Sequence, residues 1–389
     1  MASKTPEAVV MTIGDMQKAA SANMSQMVRG KGEVRSSIEG SSLISKDYFN
    51  GGSMDEITLT ENSSAYDKFK IRPRILKDVA HIDTSTAIMG KKIPLPFGFS
   101  PSAMHCLAHP DGELATSRAA AKRGIPMGLS TYSTTSLEDV RCEGNGNIYA
   151  FQLSIVKDRQ MSLNWIKRAE NAGYTALFIT VDAPVLGRRL NERTGVKFEL
   201  PQNMFLPNLS DPSEGALSEP VRSYKHSGRD ASNSWESVIP WVKANTRLKI
   251  WLKGVYCAED VQRAIQYELD GVIISNHGGR QLDGVPATID ALPECAVAGK
   301  GRIQIGVDGG IRRGTDIFKA IALGADVCFM GRVPLWGLAW KGQEGVEWAI
   351  GTLEEELRTA MALAGCSSIK EITRAHLSIL GSNGLLARL

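Results

Sequence analysis

Short apolar runs recur along the chain from about residue 95, and each run is bounded by glycine, proline or polar residues. Runs of this length and setting are typical of parallel strands that are buried on both faces. We therefore predict eight strands, at residues 97–100, 126–130, 148–153, 176–181, 249–253, 271–276, 303–307 and 327–331.

Stretches with helical periodicity separate these runs, most clearly at residues 113–122, 159–172, 258–268 and 314–322. Strands that alternate with helices place the chain in the α/β class. Eight such alternations predict a (β/α)8 TIM barrel, for which this chain length is ordinary. An open, doubly wound parallel sheet is the alternative that the same alternation allows.

Two regions fall outside the alternation. Residues 1–90 are polar and partly helical, so we predict an N-terminal helical cap on a barrel of residues 91–389, in one structural domain. Residues 188–240 form a long loop after the fourth strand and are rich in Asn, Pro, Ser, Asp and Gly. A loop this long is usually functional or disordered. On the C-terminal face of a barrel it is placed to act as a lid.

Composition narrows the function classes. The formal net charge is +3 with both signs spread along the chain, so no basic block indicates nucleic acid. No apolar run approaches the roughly 18 residues of a membrane span. The first residues lack the pattern of a signal peptide. The six cysteines lie far apart without a C-x-x-C pair, which argues against a disulfide framework or a zinc site and favours a reducing compartment.

Polar residues stand at the C-terminal end of every predicted strand, where the chemistry of a barrel is found. Lys253 ends the fifth strand and is open to three interpretations: a Schiff-base nucleophile, a member of an ion pair or a cofactor contact.

The segment Ser275-Asn276-His277-Gly278-Gly279-Arg280 carries the most specific pattern. Imidazole can take a proton near neutral pH, guanidinium can hold a carboxylate through two hydrogen bonds, and the glycines let the backbone approach a flat ligand. A surface loop with an incidental histidine is the alternative, which the neighbouring Arg280 and the other strand ends disfavour.

Two further loops predict a phosphate site. Residues 307–314 (VDGGIRRG) follow the seventh strand, and Met330-Gly331-Arg332 follows the eighth. Loops at these two strands commonly bind phosphate through backbone N–H groups and a helix N-terminus. Arg312 and Arg332 would add charge-assisted hydrogen bonds.

These motifs together resemble the FMN-dependent 2-hydroxy acid oxidase and dehydrogenase family, which includes glycolate oxidase and lactate oxidase. The resemblance runs from about Asp47 to His376. It implies FMN as the cofactor, His277 as the catalytic base and Arg280 as the clamp for the substrate carboxylate. It also implies that Asp182 orients His277 and stabilises its protonated form, and that Tyr48 assists Arg280.

The resemblance assigns the other site residues as well. It places Lys253 beside the flavin ring near N1. The cofactor-binding residues that it implies are Ser102, Ala103, Ser130, Gln152, Thr180, Lys253, Ser275, Asp308, Gly310, Arg312, Gly331 and Arg332. The substrate-binding residues are Tyr48, Tyr132, Ser154, Arg189, His277 and Arg280. No metal is expected.

The substrate pocket departs from the family pattern. Glycolate oxidase-like members carry a tyrosine after a Gln-Leu pair, and this chain has Ser154 there. Tyr132 stands where some members have tryptophan. A serine removes an aromatic wall and a phenolic donor, so we expect more room and a substrate other than simple glycolate.

The implied activity is FMN-dependent oxidation of a small 2-hydroxy acid to the 2-oxo acid, with electrons passed to oxygen or another acceptor. One alternative is an FMN-dependent enzyme that oxidises a C–N bond of a cyclic amino or imino acid. The room left by Ser154 would accommodate such a substrate. A flavin-dependent isomerase is a second alternative, although the pairing of His277 with Arg280 argues against it. A third is a barrel that binds phosphate without catalysis.

The resemblance also implies a homotetramer. The final residues, Ala387-Arg388-Leu389, are similar to the S-K-L peroxisomal address, so the expected location is peroxisomal or cytoplasmic. Neither nucleic acid nor a membrane is an expected partner.

Overall fold

The computed structural model describes residues 9–26, 46, 48–144, 146–190, 200–201, 204–209, 228–381 and 384–389. Eight parallel strands close into a barrel, so the predicted α/β TIM barrel is confirmed and the doubly wound alternative is wrong. The barrel strands are β4 Phe97–Phe99, β5 Met127–Ser130, β6 Tyr149–Leu153, β7 Ala176–Thr180, β8 Lys249–Val255, β9 Gly271–Ile274, β10 Gln304–Asp308 and β11 Val327–Met330. Every end lies within two residues of its prediction, and β11 pairs with β4 to complete the ring.

Helices surround the barrel. They are α1 Ile13–Gln26, α2 Ile57–Ser64, α3 Gly112–Lys122, α4 Leu137–Cys142, α5 Arg159–Asn171, α6 Trp235–Asn245, α7 Ala258–Gln266, α8 Thr288–Gly299, α9 Gly314–Ala322 and α10 Arg332–Ala364. The four predicted helices correspond to α3, α5, α7 and α9. Asp158 starts α5 as its N-cap, because its Oδ1 accepts the backbone N–H groups of Gln160 and Met161 at 2.9 and 3.1 Å.

The barrel interior is a packed core. All positions of β4–β7, β9 and β11 are buried, as expected for strands covered by helices outside and side chains inside. Phe178 lies at the centre, with ring centroids 6.1 Å from Trp251 and 5.5 Å from Phe329. A hairpin, β2 Thr86–Ile88 and β3 Lys91–Ile93, plugs the N-terminal end. Because that end and the centre are filled, the described part of the barrel leaves room for a ligand at its C-terminal end.

Segments outside the barrel pack against it. α1 lies along α10, and the Asn23 side chain donates to the Ala339 carbonyl at 3.1 Å. β1 Phe69–Ile71 pairs with β12 Leu377–Leu380, which also pairs with β13 Leu386–Arg388. The domain boundary at residue 90 stays a prediction. The predicted lid falls largely on residues 191–199 and 210–227, which lie outside the described residues. No described helix is long and apolar enough to cross a membrane.

Candidate functional site

The C-terminal strand ends converge on one open cavity, which with its mouth encloses about 1220 Å³. Most of the residues predicted from the sequence line it: Tyr48, Ser102, Ala103, Ser130, Tyr132, Gln152, Ser154, Thr180, Arg189, Lys253, His277, Arg280, Asp308, Gly310, Arg312, Gly331 and Arg332. Two predicted residues stand behind the wall. Asp182 contacts His277, and Ser275 accepts a hydrogen bond from Lys253.

His277 and Asp182 form a hydrogen-bonded pair. His277 Nδ1 lies 3.1 Å from Asp182 Oδ1 and 3.2 Å from Oδ2. An ionised carboxylate only accepts, so the proton of the neutral ring is on Nδ1 and the lone pair is on Nε2. The side chain of His277 is 31% exposed at the cavity, whereas that of Asp182 is 12% exposed. The pair therefore presents an oriented base to a ligand.

The surroundings keep this base neutral at neutral pH. Burial lowers the pKa of His277 below its ordinary 6.5, and the positive charges of Lys253 and Arg189 lower it further, against the opposing effect of Asp182. Burial also disfavours the Asp182 carboxylate, but the interaction with His277 outweighs it and lowers the pKa of Asp182. The site thus combines an unprotonated imidazole with an ionised carboxylate.

A pH profile of kcat/KM tests this arrangement. A base must be unprotonated to act, so we expect activity to fall about tenfold per unit of pH below the His277 pKa, with a midpoint under 6.5. Asp182→Asn removes the charge that raises this pKa, so its acid limb moves to still lower pH while the rate falls. A wild-type midpoint above 7, or an unmoved limb in Asp182→Asn, would contradict the assignment.

The loop that carries His277 has an unusual backbone. His277, Gly278 and Gly279 have φ angles of 58°, 65° and 74°, in the left-handed region that few non-glycine residues enter. Ser275 Oγ accepts the His277 N–H at 3.1 Å, and Asn276 Oδ1 accepts the Gly279 N–H at 3.2 Å. Such conformations persist where surrounding contacts fix them, and they are frequent at active sites.

Arg280 is held from the N-terminal segment. Its Nη1 donates to the carbonyls of Tyr48 and of Gly51, the latter at 3.1 Å. Its guanidinium carbon lies 4.8 Å from the Tyr48 ring centroid, within cation–π range. The structure thus brings Tyr48 and Arg280 together, as the sequence resemblance implied. These contacts fix one side of the guanidinium at the cavity wall.

Polar contacts also link the C-terminal ends of the strands around the cavity. Lys253 Nζ lies 3.1 Å from Asp308 Oδ2 and donates to Ser275 Oγ at 2.9 Å. Gln152 Nε2 donates to Thr180 Oγ1 at 3.0 Å. Asp308 Oδ1 is buried and has no hydrogen-bond partner among the described residues. A buried acceptor of this kind calls for a donor from a ligand, such as a hydroxyl group.

The predicted phosphate end has the required charge and backbone shape. Gly309 and Gly310 have φ angles of 101° and 79°, and a Cβ at Gly310 would lie 1.7 Å from the Asn62 carbonyl oxygen. Burial lowers the pKa of Arg312 to about 10, so it stays charged at neutral pH. Burial and the neighbouring arginines lower the pKa of Arg332 well below its usual range. This crowding of positive charge at the start of α10 suits a phosphate.

Arg332 makes backbone contacts that the prediction of a phosphate ligand did not include. Its Nε, Nη1 and Nη2 donate to the backbone carbonyls of Phe49, Gly278 and Gly51 at 2.8, 2.9 and 2.9 Å. It therefore ties the N-terminal segment to the His277 loop in addition to lining the cavity. No local pattern predicts these contacts, because they join segments far apart in the chain.

Other site residues were also missed. Asn276 and Asn62 exchange two hydrogen bonds of 2.9 and 2.8 Å across 214 positions of sequence. Gly254 lies so close to Asp182 that a Cβ there would be 2.5 Å from the Asp182 Cβ. Arg229, from the end of the predicted lid, also lines the cavity. Asn276 stands in the predicted His277 segment and Gly254 follows Lys253, but no local pattern indicated the contacts that these residues make.

Comparisons with known proteins agree with this geometry. The sequence profile described as FMN-dependent dehydrogenase matches residues 42–379. The chain is 47% identical over 380 residues to Oxidase FUB9 of Fusarium oxysporum f. sp. lycopersici, covering 97% of this chain and 93% of that protein. It is 45% identical over 335 residues to Glycolate oxidase 3 of Arabidopsis thaliana, covering 85% and 90%.

A solved structure is also similar. Mandelate oxidase with 3,3-difluoro-2-hydroxy-3-phenylpropionic acid superimposes with a TM-score of 0.81 at 36% sequence identity. The match covers 95% of this chain and 99% of that one. The similarity therefore extends over the barrel and over the segments that close its C-terminal end.

Proposed function

Because the chain belongs to the FMN-dependent dehydrogenase family, we propose that it oxidises a 2-hydroxy acid to the 2-oxo acid and passes the electrons to oxygen. That it is an FMN-dependent oxidoreductase follows from the family itself. The observation that carries the substrate class is the pairing of an oriented neutral base, His277, with a guanidinium, Arg280, at one cavity. Relatives named as glycolate and mandelate oxidases support the same reaction type.

The residues present fit FMN. The orphaned Asp308 Oδ1 suits a hydroxyl of the ribityl chain, and the arginines around Gly310 suit the phosphate. Lys253 would lie beside the ring with the polar ends of β5–β7. Bound FMN supplies the acceptor for the two electrons that leave the substrate.

The protein's own groups account for binding and proton transfer. Arg280, with Tyr48, holds the substrate carboxylate and so fixes the α-carbon near His277. His277 Nε2 takes the proton, from the hydroxyl if the α-hydrogen leaves as hydride or from the α-carbon if it leaves as a proton. Asp182 stabilises the imidazolium that results, because its carboxylate already accepts the Nδ1–H.

An anaerobic screen tests the proposed function. Purified, FMN-loaded protein is mixed with 2-hydroxy acids, 2-amino acids and cyclic imino acids, and any compound that bleaches the flavin is then tested for oxygen consumption. We expect 2-hydroxy acids to bleach the flavin and to give peroxide in air. Bleaching by cyclic imino acids alone would assign the chain to C–N oxidation, for which Ser154 leaves space. Bleaching without oxygen consumption would make it a dehydrogenase.

We propose that the protein is a homotetramer, as the family resemblance implies. Light scattering coupled to size exclusion measures this directly. A mass near four times 42.1 kDa supports the tetramer, and a mass near 42.1 kDa refutes it.

We also propose peroxisomal import through Ala387-Arg388-Leu389. All three residues are exposed, although Ala387 and Arg388 pair with β12. A receptor that reads the tripeptide would have to release this pairing. Replacing Leu389 by aspartate should then leave a fluorescent fusion in the cytoplasm, whereas an unchanged peroxisomal pattern would rule out this address.

A further inference from the structure

Arg229 is a cavity residue to which neither the sequence nor the proposed chemistry assigns a role. The structure describes the chain again from residue 228, and Arg229 there forms an antiparallel bridge with Val156, next to the end of β6. The Lys157 N–H donates to the Gly228 carbonyl at 2.8 Å, and Asn233 Nδ2 donates to the Ile155 carbonyl at 2.7 Å. These bonds fix the backbone that carries the side chain.

Few protein groups accept hydrogen bonds from the guanidinium of Arg229. Nη2 donates to the Tyr132 hydroxyl at 3.4 Å, and the guanidinium carbon lies 5.7 Å from the Tyr132 ring centroid. Its Nε is buried and has no hydrogen-bond partner among the described residues. Within that part of the chain no carboxylate forms an ion pair with it, and the adjacent Asp230 lies 3.8 Å from Arg159. A buried donor without a partner is costly unless a ligand supplies an acceptor.

The guanidinium itself gives the sign of that acceptor. It carries a positive charge at neutral pH, and among the described residues no carboxylate forms an ion pair with it. An anionic group that can accept two parallel hydrogen bonds is therefore the partner that suits it best.

Arg229 lies beside Ser154, where the main cavity meets a second one. Arg229 and Ser154 line both the main cavity and an adjoining one of about 930 Å³ with its mouth, so the two meet at these residues. Tyr132, which Arg229 contacts, lines the same stretch of wall. Arg280, by contrast, is held from the Tyr48 side. A substrate held by Arg280 can therefore extend past Ser154 toward Arg229.

We propose that Arg229 is a specificity-determining residue that binds a second carboxylate on the substrate side chain, so that the preferred substrates are 2-hydroxy dicarboxylic acids. The inference rests on the proposed function for its reaction, but the binding that it requires does not depend on turnover. Guanidinium is suited to this role because it holds a carboxylate through two parallel hydrogen bonds.

The kinetic test compares two substrates of equal chain length, 2-hydroxyglutarate and 2-hydroxypentanoate. The wild type should favour the dicarboxylate in kcat/KM. Arg229→Met should lower the ratio of the two values roughly 10- to 100-fold, the loss of a charge-assisted hydrogen-bonded contact. Arg229→Lys keeps the positive charge but cannot form two parallel hydrogen bonds, so its ratio should lie between those of the wild type and Arg229→Met. The control is Arg123→Met, which removes an exposed cation paired with Glu354 and should leave the ratio unchanged.

A binding measurement separates failure of this inference from failure of the proposed function. Glutarate and pentanoate, which lack the hydroxyl, are titrated into the FMN-loaded enzyme and followed by the change in the flavin spectrum. Tighter binding of glutarate that Arg229→Met abolishes supports the inference even if neither hydroxy acid is oxidised. Equal binding of the two acids, or a preference that survives Arg229→Met, overturns it even if 2-hydroxypentanoate is a good substrate.

Discussion

Replacing His277 by glutamine should leave a yellow, FMN-loaded protein in which 2-hydroxy acids reduce the flavin about 10²–10⁴ times more slowly than in the wild type. The amide of glutamine cannot take up a proton near neutral pH, so the substrate proton loses its acceptor. The expected loss matches what a positioned general base contributes. Stopped-flow measurement of anaerobic flavin bleaching gives the rate, and the visible spectrum gives the FMN content.

The backbone at this position calls for a second variant. His277 has a φ of 58°, a conformation that asparagine tolerates better than most residues, so His277→Asn removes the base with little added strain. Both variants should lose the removal of the substrate proton, so both should reduce the flavin slowly. His81→Gln, at an exposed histidine away from the cavity, is the control and should bleach at the wild-type rate. Wild-type bleaching in either His277 variant would show that another group is the base.

Arg280→Lys should raise the substrate concentration at half-saturation roughly 10- to 100-fold, with a much smaller change in the flavin reduction rate at saturation. Arg280 Nη1 is already held by the carbonyls of Tyr48 and Gly51, so the fork is oriented before a ligand arrives. An ammonium group is a single point charge and cannot reproduce the two parallel hydrogen bonds. Half-saturation values from bleaching amplitudes test this directly.

The Arg280 variant also has an internal check. Because Arg280 bridges the His277 loop and the N-terminal segment, Arg280→Lys loses a structural tie as well as a ligand contact. A thermal melt and the FMN content show whether that loss disturbs the fold. An unchanged half-saturation value in a folded, FMN-loaded variant would remove Arg280 from the carboxylate site.

The sequence predicted the barrel and its active end well, for a physical reason. Parallel strands that are buried on both faces need uninterrupted apolar runs, so β4–β11 could be recognised one at a time. Once the strands are known, their C-terminal ends must meet, which places Lys253, His277 and Asp308 together without any knowledge of tertiary contacts. The register of adjacent strands then determines which residues lie side by side, as where Thr180 of β7 pairs with Lys253 of β8.

Contacts between segments far apart in the chain could not be predicted in this way. The pair of Asn62 and Asn276 and the three backbone bonds of Arg332 depend on how the N-terminal segment folds over the barrel. Neither has a local pattern. Tyr48 was placed in the site only by resemblance to a family, since a lone tyrosine in a polar segment otherwise indicates packing.

Arg229 illustrates a different limit. It lies at the end of a long polar stretch in which charged residues are expected on the surface. Its place in the cavity wall is seen in the structure, where it lines the cavity and its backbone forms a bridge with Val156. The difference between Ser154 and the tyrosine of related enzymes was visible in the sequence, but the adjoining cavity that Ser154 lines was not.

The central claim is that this chain oxidises a 2-hydroxy acid at the carbon next to the carboxylate, with His277 as the base. The most direct test is anaerobic mixing of the FMN-loaded enzyme with a 2-hydroxy acid and with its α-deuterated form, while flavin bleaching and 2-oxo acid are both measured. We expect one 2-oxo acid per flavin reduced and slower bleaching with the deuterated acid. A flavin that every 2-hydroxy acid leaves oxidised, while a cyclic imino acid bleaches it, would contradict the claim.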